Sequence, residues 1–221
     1  MVKYHPDARF LTDYSAGSLP EEQALCVATH LHYCAACRVK VRELVELGSE
    51  LFMQQQAKPA PAADSQFERL LARVADVGAT PAQAPVAAKA DSTVAAPALP
   101  RALHKLTHGD IESLKWRRVG RSFRYSRLKV GNPQRETSLL HIRAGGNVPH
   151  HRHAGDEITV IISGSFSDQD DKYGVGDFIV RTTGEKHSPV ASQDEDCLCL
   201  ATLDKPIVMS NLFYRLMAPL F

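Results

Sequence analysis

The most constraining feature of the chain is a short run of metal-binding residue types between residues 30 and 37. It contains His30, Cys34 and Cys37, separated by three and then two residues. Residues four apart lie on one face of a helix, so His30 and Cys34 can approach the same point, and Cys37 can reach it after a short turn. A structural zinc ion takes four nitrogen or sulfur ligands in a tetrahedron. The run therefore predicts a zinc site that still needs one ligand.

His5, near the N-terminus, is the best candidate for the fourth ligand, and His32 is a local rival. The alternative is that the two cysteines are buried packing residues beside a surface histidine. The metal site is the better interpretation, because CxxC in an intracellular chain more often serves metal or redox chemistry than packing. A thioredoxin-like redox site would need a preceding strand, whereas the residues before Cys34 have a helical pattern.

The whole chain has the composition of a soluble globular protein. It has 221 residues and a formal net charge of +1, which fits one large domain or two small ones. The N-terminus is polar and no run of about 18 apolar residues occurs, so we expect neither a signal peptide nor a membrane-spanning helix. The five cysteines show no disulfide framework, and a cytoplasmic location is the simplest. We expect Cys26, Cys197 and Cys199 to be small core residues.

The first 56 residues have the pattern of three helices. Pro6 suits the first turn of a helix that ends near Gly17, and Ser18-Leu-Pro-Glu21 resembles a capping box that opens the second helix. Apolar residues then recur at helical spacing from 41 to 52. Three short helices bury little apolar surface, so a zinc ion joining the start of the first helix to the junction after the second would add stability. This is a structural reason to choose His5 as the fourth ligand.

A fourth helix is predicted after an Ala/Pro linker at residues 57–63. The motif Ser65-Gln-Phe-Glu68 resembles a second capping box. The apolar face of this helix consists of Phe67, Leu70, Leu71, Val74 and Val77. The helix either folds back on the first three or clamps another protein together with them. Phe67, Leu70 and Leu71 are our candidates for contacts with such a partner.

A longer Ala/Pro linker at residues 78–100 marks a domain boundary, so we predict domains at 1–77 and 101–221. Beyond the linker the pattern becomes strand-like, in runs separated by glycine and proline. These runs are 123–130, 138–143, 157–162, 178–181 and 197–203. Many short strands with turn signals between them indicate a β-sandwich or barrel.

A second set of metal-binding residues lies inside the strand-rich region. His151 and His153 share one face of a strand, Glu157 can return to the same place after a turn, and His187 can come from a partner strand. Isolated histidines in barrels are usually packing or surface residues, but this combination of ligand types favours a metal site. Zinc, iron, manganese, nickel and copper all suit these ligands, and the sequence does not choose among them.

The spacing of this second set resembles the two motifs of the cupin superfamily. The first motif reads Gly145-x5-His151-x-His153-x3-Glu157-x6-Gly164. The second reads Gly176-x5-Thr182-x-Gly184-x2-His187, in which Thr182 stands where proline is usual. The resemblance implies a jelly-roll barrel with a metal ion inside it, bound by His151, His153, Glu157 and His187.

An HxxxCxxC helical module followed by a cupin domain resembles the ChrR-type zinc anti-sigma factors. An early histidine and the HxxxCxxC trio hold zinc in that family, and the matching residues here are His5, His30, Cys34 and Cys37. The implied fold is multidomain, α plus all-β, with a zinc-binding bundle of three helices and a tethered fourth, linked to a cupin barrel. The implied function is non-enzymatic. The chain would bind an extracytoplasmic-function sigma factor and release it when the cupin domain senses singlet oxygen or an organic peroxide.

Two other functions are open at this point. The chain could be a metal-dependent cupin enzyme, dioxygenase-like, with a regulatory zinc domain, because a fold does not fix a function. The chain could also be a nucleic-acid-binding protein with a small zinc finger. Residues 115–135 carry eight basic side chains and no acidic ones, and such a segment could contact phosphate groups. However, residues 1–77 carry ten acidic and eight basic side chains, which argues against direct contact with DNA. The basic segment is better interpreted as the solvated outer face of a sheet.

Overall fold

The computed structural model of the chain describes residues 2–55, 64–76 and 99–209. The helices in this part of the chain are α1 (Ala8–Ser15), α2 (Glu21–Tyr33), α3 (Ala35–Gln54), α4 (Asp64–Asp76) and α5 (Arg101–Thr107). The strands are β1 (Arg117–Val119), β2 (Phe123–Leu128), β3 (Glu136–Ile142), β4 (His151–Arg152), β5 (Glu157–Ser163), β6 (Phe166–Ser167), β7 (Lys172–Tyr173), β8 (Phe178–Arg181), β9 (Lys186–His187), β10 (Val190–Ala191), β11 (Cys197–Leu203) and β12 (Val208–Met209).

Residues 2–48 and 99–209 form one compact unit, and residues 49–55 and 64–76 belong to a second. The predicted linker at 57–63, nearly all of the one at 78–100, and Val77 lie outside the described residues. The division into domains at 1–77 and 101–221 stays a prediction. No helix of the described ranges is long and apolar enough to span a membrane.

The predicted helices are present, but three of them start differently from the prediction. Pro6 precedes the first helix, which begins at Ala8, and Ser65 lies inside the fourth, which begins at Asp64. Helix α1 is capped by Asp7, whose carboxylate accepts a hydrogen bond from the Phe10 amide at 2.9 Å. The capping box predicted for α2 is wrong, because Pro20 is the N-cap residue and makes no side-chain capping bond. The Ser18 hydroxyl instead donates to the Asp13 carbonyl at 3.1 Å, where it closes the turn after α1.

The strands form an antiparallel jelly roll, as predicted. The main sheet has the order β1-β2-β3-β11-β5-β8, and two smaller sheets have the orders β10-β6-β7 and β12-β4-β9. Each predicted strand run overlaps one of the five longer strands, β2, β3, β5, β8 and β11. Helix α5 is not predicted by the strand-like pattern after residue 101. It follows Pro100 and ends at His108, which adopts the left-handed conformation with φ 52°.

The main sheet is covered on both faces. Its inner face packs inside the barrel, with Phe123, Ile161, Cys197 and Cys199 among the buried residues. Its outer face forms a common core with the helices, which includes Leu11, Cys26, Val27, Leu103, Val160 and Leu200. Helix α2 therefore does not depend on a thin three-helix core of its own, because it buries its apolar face against β5 and β11. The predicted burial of Cys26, Cys197 and Cys199 is confirmed.

Several arginines of the basic segment 115–135 are already paired with carboxylates of the same chain. Arg124 lies 3.0 Å from Glu112 and Arg127 lies 3.0 Å from Glu136. Arg135 lies 3.3 Å from Glu22, a carboxylate of α2 that is only 1% exposed. A phosphate ligand would have to displace the partners of these three arginines, which supports the interpretation of this part of the segment as a sheet surface.

Candidate metal centres

The four predicted residues of the N-terminal site lie together. One ligand atom from each of His5, His30, Cys34 and Cys37 falls within 4.8 Å of the others. His5 precedes α1, His30 is in the last turn of α2, and the chain leaves the helix at Cys34, whose extended backbone (φ −104°, ψ 104°) brings the first turn of α3 back to the same point. The rival, His32, is exposed and packs its ring against Tyr33, because residues two apart face different sides of a helix.

The distances within this cluster fit a zinc ion. Nδ1 of His5 lies 3.4 Å from Sγ of Cys34 and 3.5 Å from Sγ of Cys37. Zinc bonds are about 2.3 Å long to sulfur and about 2.0 Å to nitrogen, so a nitrogen and a sulfur ligand of one tetrahedral zinc ion lie about 3.5 Å apart. In addition, Nε2 of His30 is buried without a hydrogen-bond partner among the described residues. A metal ion in the cluster would satisfy that atom.

A backbone carbonyl of the barrel fixes the orientation of His30. Nδ1 of His30 donates to the Gly176 carbonyl, in the loop between β7 and β8, at 2.6 Å. A hydrogen bond at one ring nitrogen selects the tautomer in which the other nitrogen carries the lone pair. Nε2 of His30 is therefore directed at the cluster as a ligand. The sequence shows Gly176 only as a glycine of the second cupin motif, and gives no sign of this contact.

Burial favours the neutral forms of two of the uncomplexed ligands. It raises the pKa of Cys37 to about 12 and lowers the pKa of His30. A neutral imidazole is ready to bind, whereas a thiol must lose its proton to become a ligand. A divalent cation supplies the charge that stabilises the thiolate, so binding of zinc here releases protons.

Replacing Gly176 by alanine is expected to destabilise this centre. The glycine has φ 87°, and a Cβ atom there would lie 2.7 Å from Cβ of Tyr33 and 2.8 Å from Cγ2 of Val2. The strain should lower the free energy of unfolding by about 1–3 kcal/mol and accelerate zinc loss, measured by thermal unfolding and chelator competition. Gly174→Ala is the matched control in the same loop, because its Cβ meets nothing within 4 Å. Equal effects of the two substitutions would contradict the role given to Gly176.

The four predicted residues of the barrel site also lie together. His151 on β4 is directly paired with His187 on β9, and Glu157 is the first residue of β5. His153 lies in the connection between β4 and β5, where its amide donates to the Glu185 carbonyl at 3.0 Å. All four side chains are buried, and one ligand atom of each lies within 4.8 Å of the others. Two short strands and the connection between β4 and β5 thus supply three imidazoles, and the start of β5 supplies a carboxylate, to one point.

The three imidazoles converge through their Nε2 atoms. Nε2 of His187 lies 2.9 Å from Nε2 of His151 and 3.1 Å from Nε2 of His153. With metal–nitrogen bonds of about 2.1 Å, neighbouring ligands of a six-coordinate ion lie about 3.0 Å apart, compared with about 3.4 Å for a tetrahedral ion. The outer nitrogens of two of these rings have partners that hold them, since Nδ1 of His151 donates to the Pro149 carbonyl at 2.8 Å and Nδ1 of His187 lies 3.2 Å from Oδ2 of Asp168.

The pKa of the carboxyl group in this site lies well above its usual value. Complete burial raises the pKa of Glu157 to about 7, while burial lowers the pKa of His151 to about 4 and that of His153 to about 3. Oε1 of Glu157 accepts a hydrogen bond from Thr159 at 3.0 Å, but Oε2 has no hydrogen-bond partner among the described residues. A cation at this point would satisfy Oε2 and favour the ionised carboxylate.

The affinity of the barrel site for metal is expected to fall below pH 7. Glu157 must then lose a proton to bind, so the affinity should drop about tenfold for each pH unit below 7 and level off above it. The histidines contribute little in this range, because their lowered pKa values leave them neutral. Metal titrations between pH 6 and 8 test this, and Glu157→Gln should remove the dependence. A pH-independent affinity in the unchanged protein would contradict it.

An apolar cavity of about 200 Å³ opens beside the barrel ligands. Its lining includes Phe123, Tyr125, Ser138, Ile142, His151, Glu157 and His187. The Tyr125 hydroxyl and the Ser138 hydroxyl are buried without hydrogen-bond partners among the described residues. The space can admit a small, mainly apolar molecule, with polar groups for an oxygen atom on such a molecule.

The three residues proposed as partner contacts lie on the exposed face of α4. Phe67, Leu70 and Leu71 are 59%, 55% and 46% exposed. Helix α3 carries further exposed apolar residues toward its C-terminal end, with Phe52 at 73% and Met53 at 81%. Several large apolar side chains exposed on one helix are typical of an interaction surface.

The comparisons with known proteins agree with this arrangement. The family model described as the ChrR cupin-like domain matches residues 104–205. The anti-sigma-E factor ChrR of Cereibacter sphaeroides is 31% identical over 220 residues, which cover 100% of this chain and 98% of the relative. The crystal structure of Rhodobacter sphaeroides SigE in complex with the anti-sigma ChrR matches with a TM-score of 0.74 and 33% identity, over 92% of this chain and 100% of that chain. With similarity over essentially its whole length, the chain belongs to the ChrR family.

Proposed function

We propose that this protein is a zinc-dependent anti-sigma factor. It binds an extracytoplasmic-function sigma factor in the cytoplasm, covers the surface through which that factor contacts RNA polymerase, and releases it on an oxidative signal. The observation that carries the proposal is the full-length relationship to ChrR, whose solved complex contains SigE. We assign no catalytic residue to the chain.

The exposed apolar side chains of α3 and α4 support this partner. In the described residues they include Leu47, Leu51, Phe52, Met53, Phe67, Leu70 and Leu71. A helix that presents such residues suits binding against the apolar surface of another helical protein. Since the arginines at Arg124, Arg127 and Arg135 have acidic partners within the chain, we propose no direct contact with nucleic acid.

The two metal centres have different proposed roles. The ligands at His5, His30, Cys34 and Cys37 form a closed set of four, which suits a structural zinc ion. The barrel ligands border a cavity, so a small oxidant can reach a metal ion there. We propose that this metal is zinc or another first-row transition metal, and that an organic peroxide or singlet oxygen acts at this site to trigger release.

In vitro transcription tests the proposal. Purified chain should inhibit transcription by a polymerase that carries its cognate sigma factor, with full inhibition near one chain per sigma factor. Transcription by the same polymerase with its housekeeping sigma factor is the control and should be unaffected. Chain stripped of metal should inhibit poorly. Inhibition of both polymerases, or of neither, would contradict the proposal.

The geometry of the barrel site favours one other function. The spacing of its imidazoles fits a six-coordinate ion, which would have positions left for substrate and oxygen beside the apolar cavity. This arrangement suits a cupin dioxygenase with an N-terminal regulatory zinc domain. Oxygen uptake by the iron-loaded protein with a small diketone or thiol would support the enzyme, and absence of turnover together with inhibition of transcription would exclude it.

A further inference from the structure

We propose that the turn at residues 168–171, between β6 and β7, positions His5 for zinc binding and transmits to it the state of the barrel site. The inference deepens the proposed function, and it rests on the proposal that both clusters bind metal. The turn contacts a ligand of the barrel site at one end and the neighbour of a zinc ligand at the other. Three successive contacts make up this connection.

The first contact joins the turn to His187. Oδ2 of Asp168, whose side chain is 1% exposed, lies 3.2 Å from Nδ1 of His187. The same oxygen accepts a hydrogen bond from Arg181 at 2.7 Å. A metal ion on Nε2 of His187 would fix the proton on Nδ1, so that the ring donates to Asp168. Without metal, Nε2 of His187 would lose its bond to the ion, so the ring and its contact with Asp168 would be held less firmly.

The second contact joins Asp168 to Asp171 within the turn. Oδ1 of Asp168 accepts hydrogen bonds from the Asp170 amide at 3.0 Å and the Asp171 amide at 3.3 Å. The Asp168 amide donates to the Asp171 carbonyl at 3.0 Å. The position of the Asp168 carboxylate therefore determines the shape of the whole turn.

The third contact reaches the N-terminal segment. Oδ2 of Asp171 accepts hydrogen bonds from the Tyr4 hydroxyl and from Lys3 Nζ. The Tyr4 ring also packs against Tyr173 with centroids 5.0 Å apart, and the Tyr4 carbonyl accepts from the Phe178 amide at 3.0 Å. Residue 5, the next along the chain, is the zinc ligand that precedes the helices. Its position is therefore set by contacts of Tyr4 with the barrel.

This arrangement predicts that the two metal sites are thermodynamically coupled. Loss of the barrel metal should loosen the turn and the hold on Tyr4, and so weaken the N-terminal site. Coupling free energies between sites commonly correspond to factors of about 5–150 in affinity. By reciprocity, metal at the N-terminal site should strengthen metal binding in the barrel by the same factor.

Cobalt substitution of the full-length chain, without a sigma factor, provides the test. In the two proposed centres, only Cys34 and Cys37 supply thiolates. The charge-transfer absorption band of cobalt bound to thiolate therefore reports on the N-terminal site. The rate at which EDTA removes this absorption would be measured for the unchanged chain and for His151→Ala, which removes a barrel ligand on β4 rather than a residue of the turn. We expect His151→Ala to accelerate the loss about tenfold, within the usual range of coupling.

Asp171→Ala should itself accelerate the loss of cobalt from the N-terminal site. When His151→Ala is added to Asp171→Ala, the rate of loss should rise by less than about a further twofold, because the connection is already broken. Tyr4→Phe, a milder change, should behave in the same way. Asp196→Asn is the control, since that carboxylate pairs with His141 elsewhere on the barrel, and it should leave the tenfold response intact. The inference would be overturned if His151→Ala did not change the rate of cobalt loss. It would also be overturned if His151→Ala changed that rate by the same factor in the unchanged chain and in Asp171→Ala. Since no sigma factor is present, the outcome is independent of whether the proposed partner binds.

Discussion

Replacing Cys34 by alanine is expected to remove one zinc ion per chain and to abolish binding of the sigma factor in the same variant. Cys34 is buried at the junction of α2 and α3, and its Sγ lies beside Nδ1 of His5. Structural zinc contributes roughly 10–16 kcal/mol in small zinc-binding peptides, which is comparable with the whole stability of a domain. Without it, the segment before α1 and the start of α3 lose their common attachment. We expect the affinity for the sigma factor to fall at least about 100-fold, equivalent to about 3 kcal/mol.

Cys26→Ala is the matched control for this experiment. Cys26 lies on the same helix and is fully buried, but it belongs to the apolar core between α2 and the sheet. Its loss should cost stability without changing the zinc content. Metal analysis and a binding titration on both variants measure the zinc content and the affinity for the sigma factor. If Cys34→Ala retained its zinc and its affinity, the assignment of the N-terminal site would be wrong.

Replacing Phe67, Leu70 and Leu71 together by alanine is expected to weaken sigma-factor binding without affecting the folded chain. All three side chains are about half exposed, so their truncation should change the stability by less than about 0.5 kcal/mol each. In an interface, apolar anchors of this kind each contribute about 1–2 kcal/mol. The triple variant should therefore bind about 100-fold to 10,000-fold more weakly.

Val180→Ala provides the comparison for the triple variant. Val180 is a similarly exposed apolar residue, 40% accessible, but it lies on β8 of the barrel. It should leave both affinity and zinc content unchanged. Binding titrations and thermal unfolding measure the two properties separately. A triple variant that binds normally would show that α4 does not contact the partner, whereas reduced binding of Val180→Ala would place the interface on the barrel.

Four of the helices and the five longer strands could be predicted from the sequence. The five longer strands were predicted because apolar runs are separated by glycine and proline, and α1–α4 because their apolar residues recur at helical spacing. Both sets of metal-binding residues also lie where their spacing predicted. Histidine and cysteine at short, regular spacings are typical of metal sites, so such patterns remain informative without any knowledge of the tertiary structure.

The packing of the helices on the barrel could not be predicted in the same way. The contact between His30 and Gly176 joins residues 146 positions apart, and nothing in either local sequence indicates it. One signal was available in β11, whose run Cys-Leu-Cys-Leu-Ala-Thr-Leu is apolar at almost every position. A strand with such a pattern is buried on both faces of its sheet. Here the helices pack against the outer face.

The measurement that tests the central claim most directly is the metal content and stoichiometry of a co-purified complex. The chain would be co-expressed with a candidate extracytoplasmic-function sigma factor from the same genome, purified, and measured by native mass spectrometry. We predict one chain bound to one sigma factor, with a zinc ion that is lost, together with the partner, in Cys34→Ala. A chain that purifies without a partner, and contains iron that reacts with oxygen in the barrel, would contradict the anti-sigma function and favour a cupin enzyme.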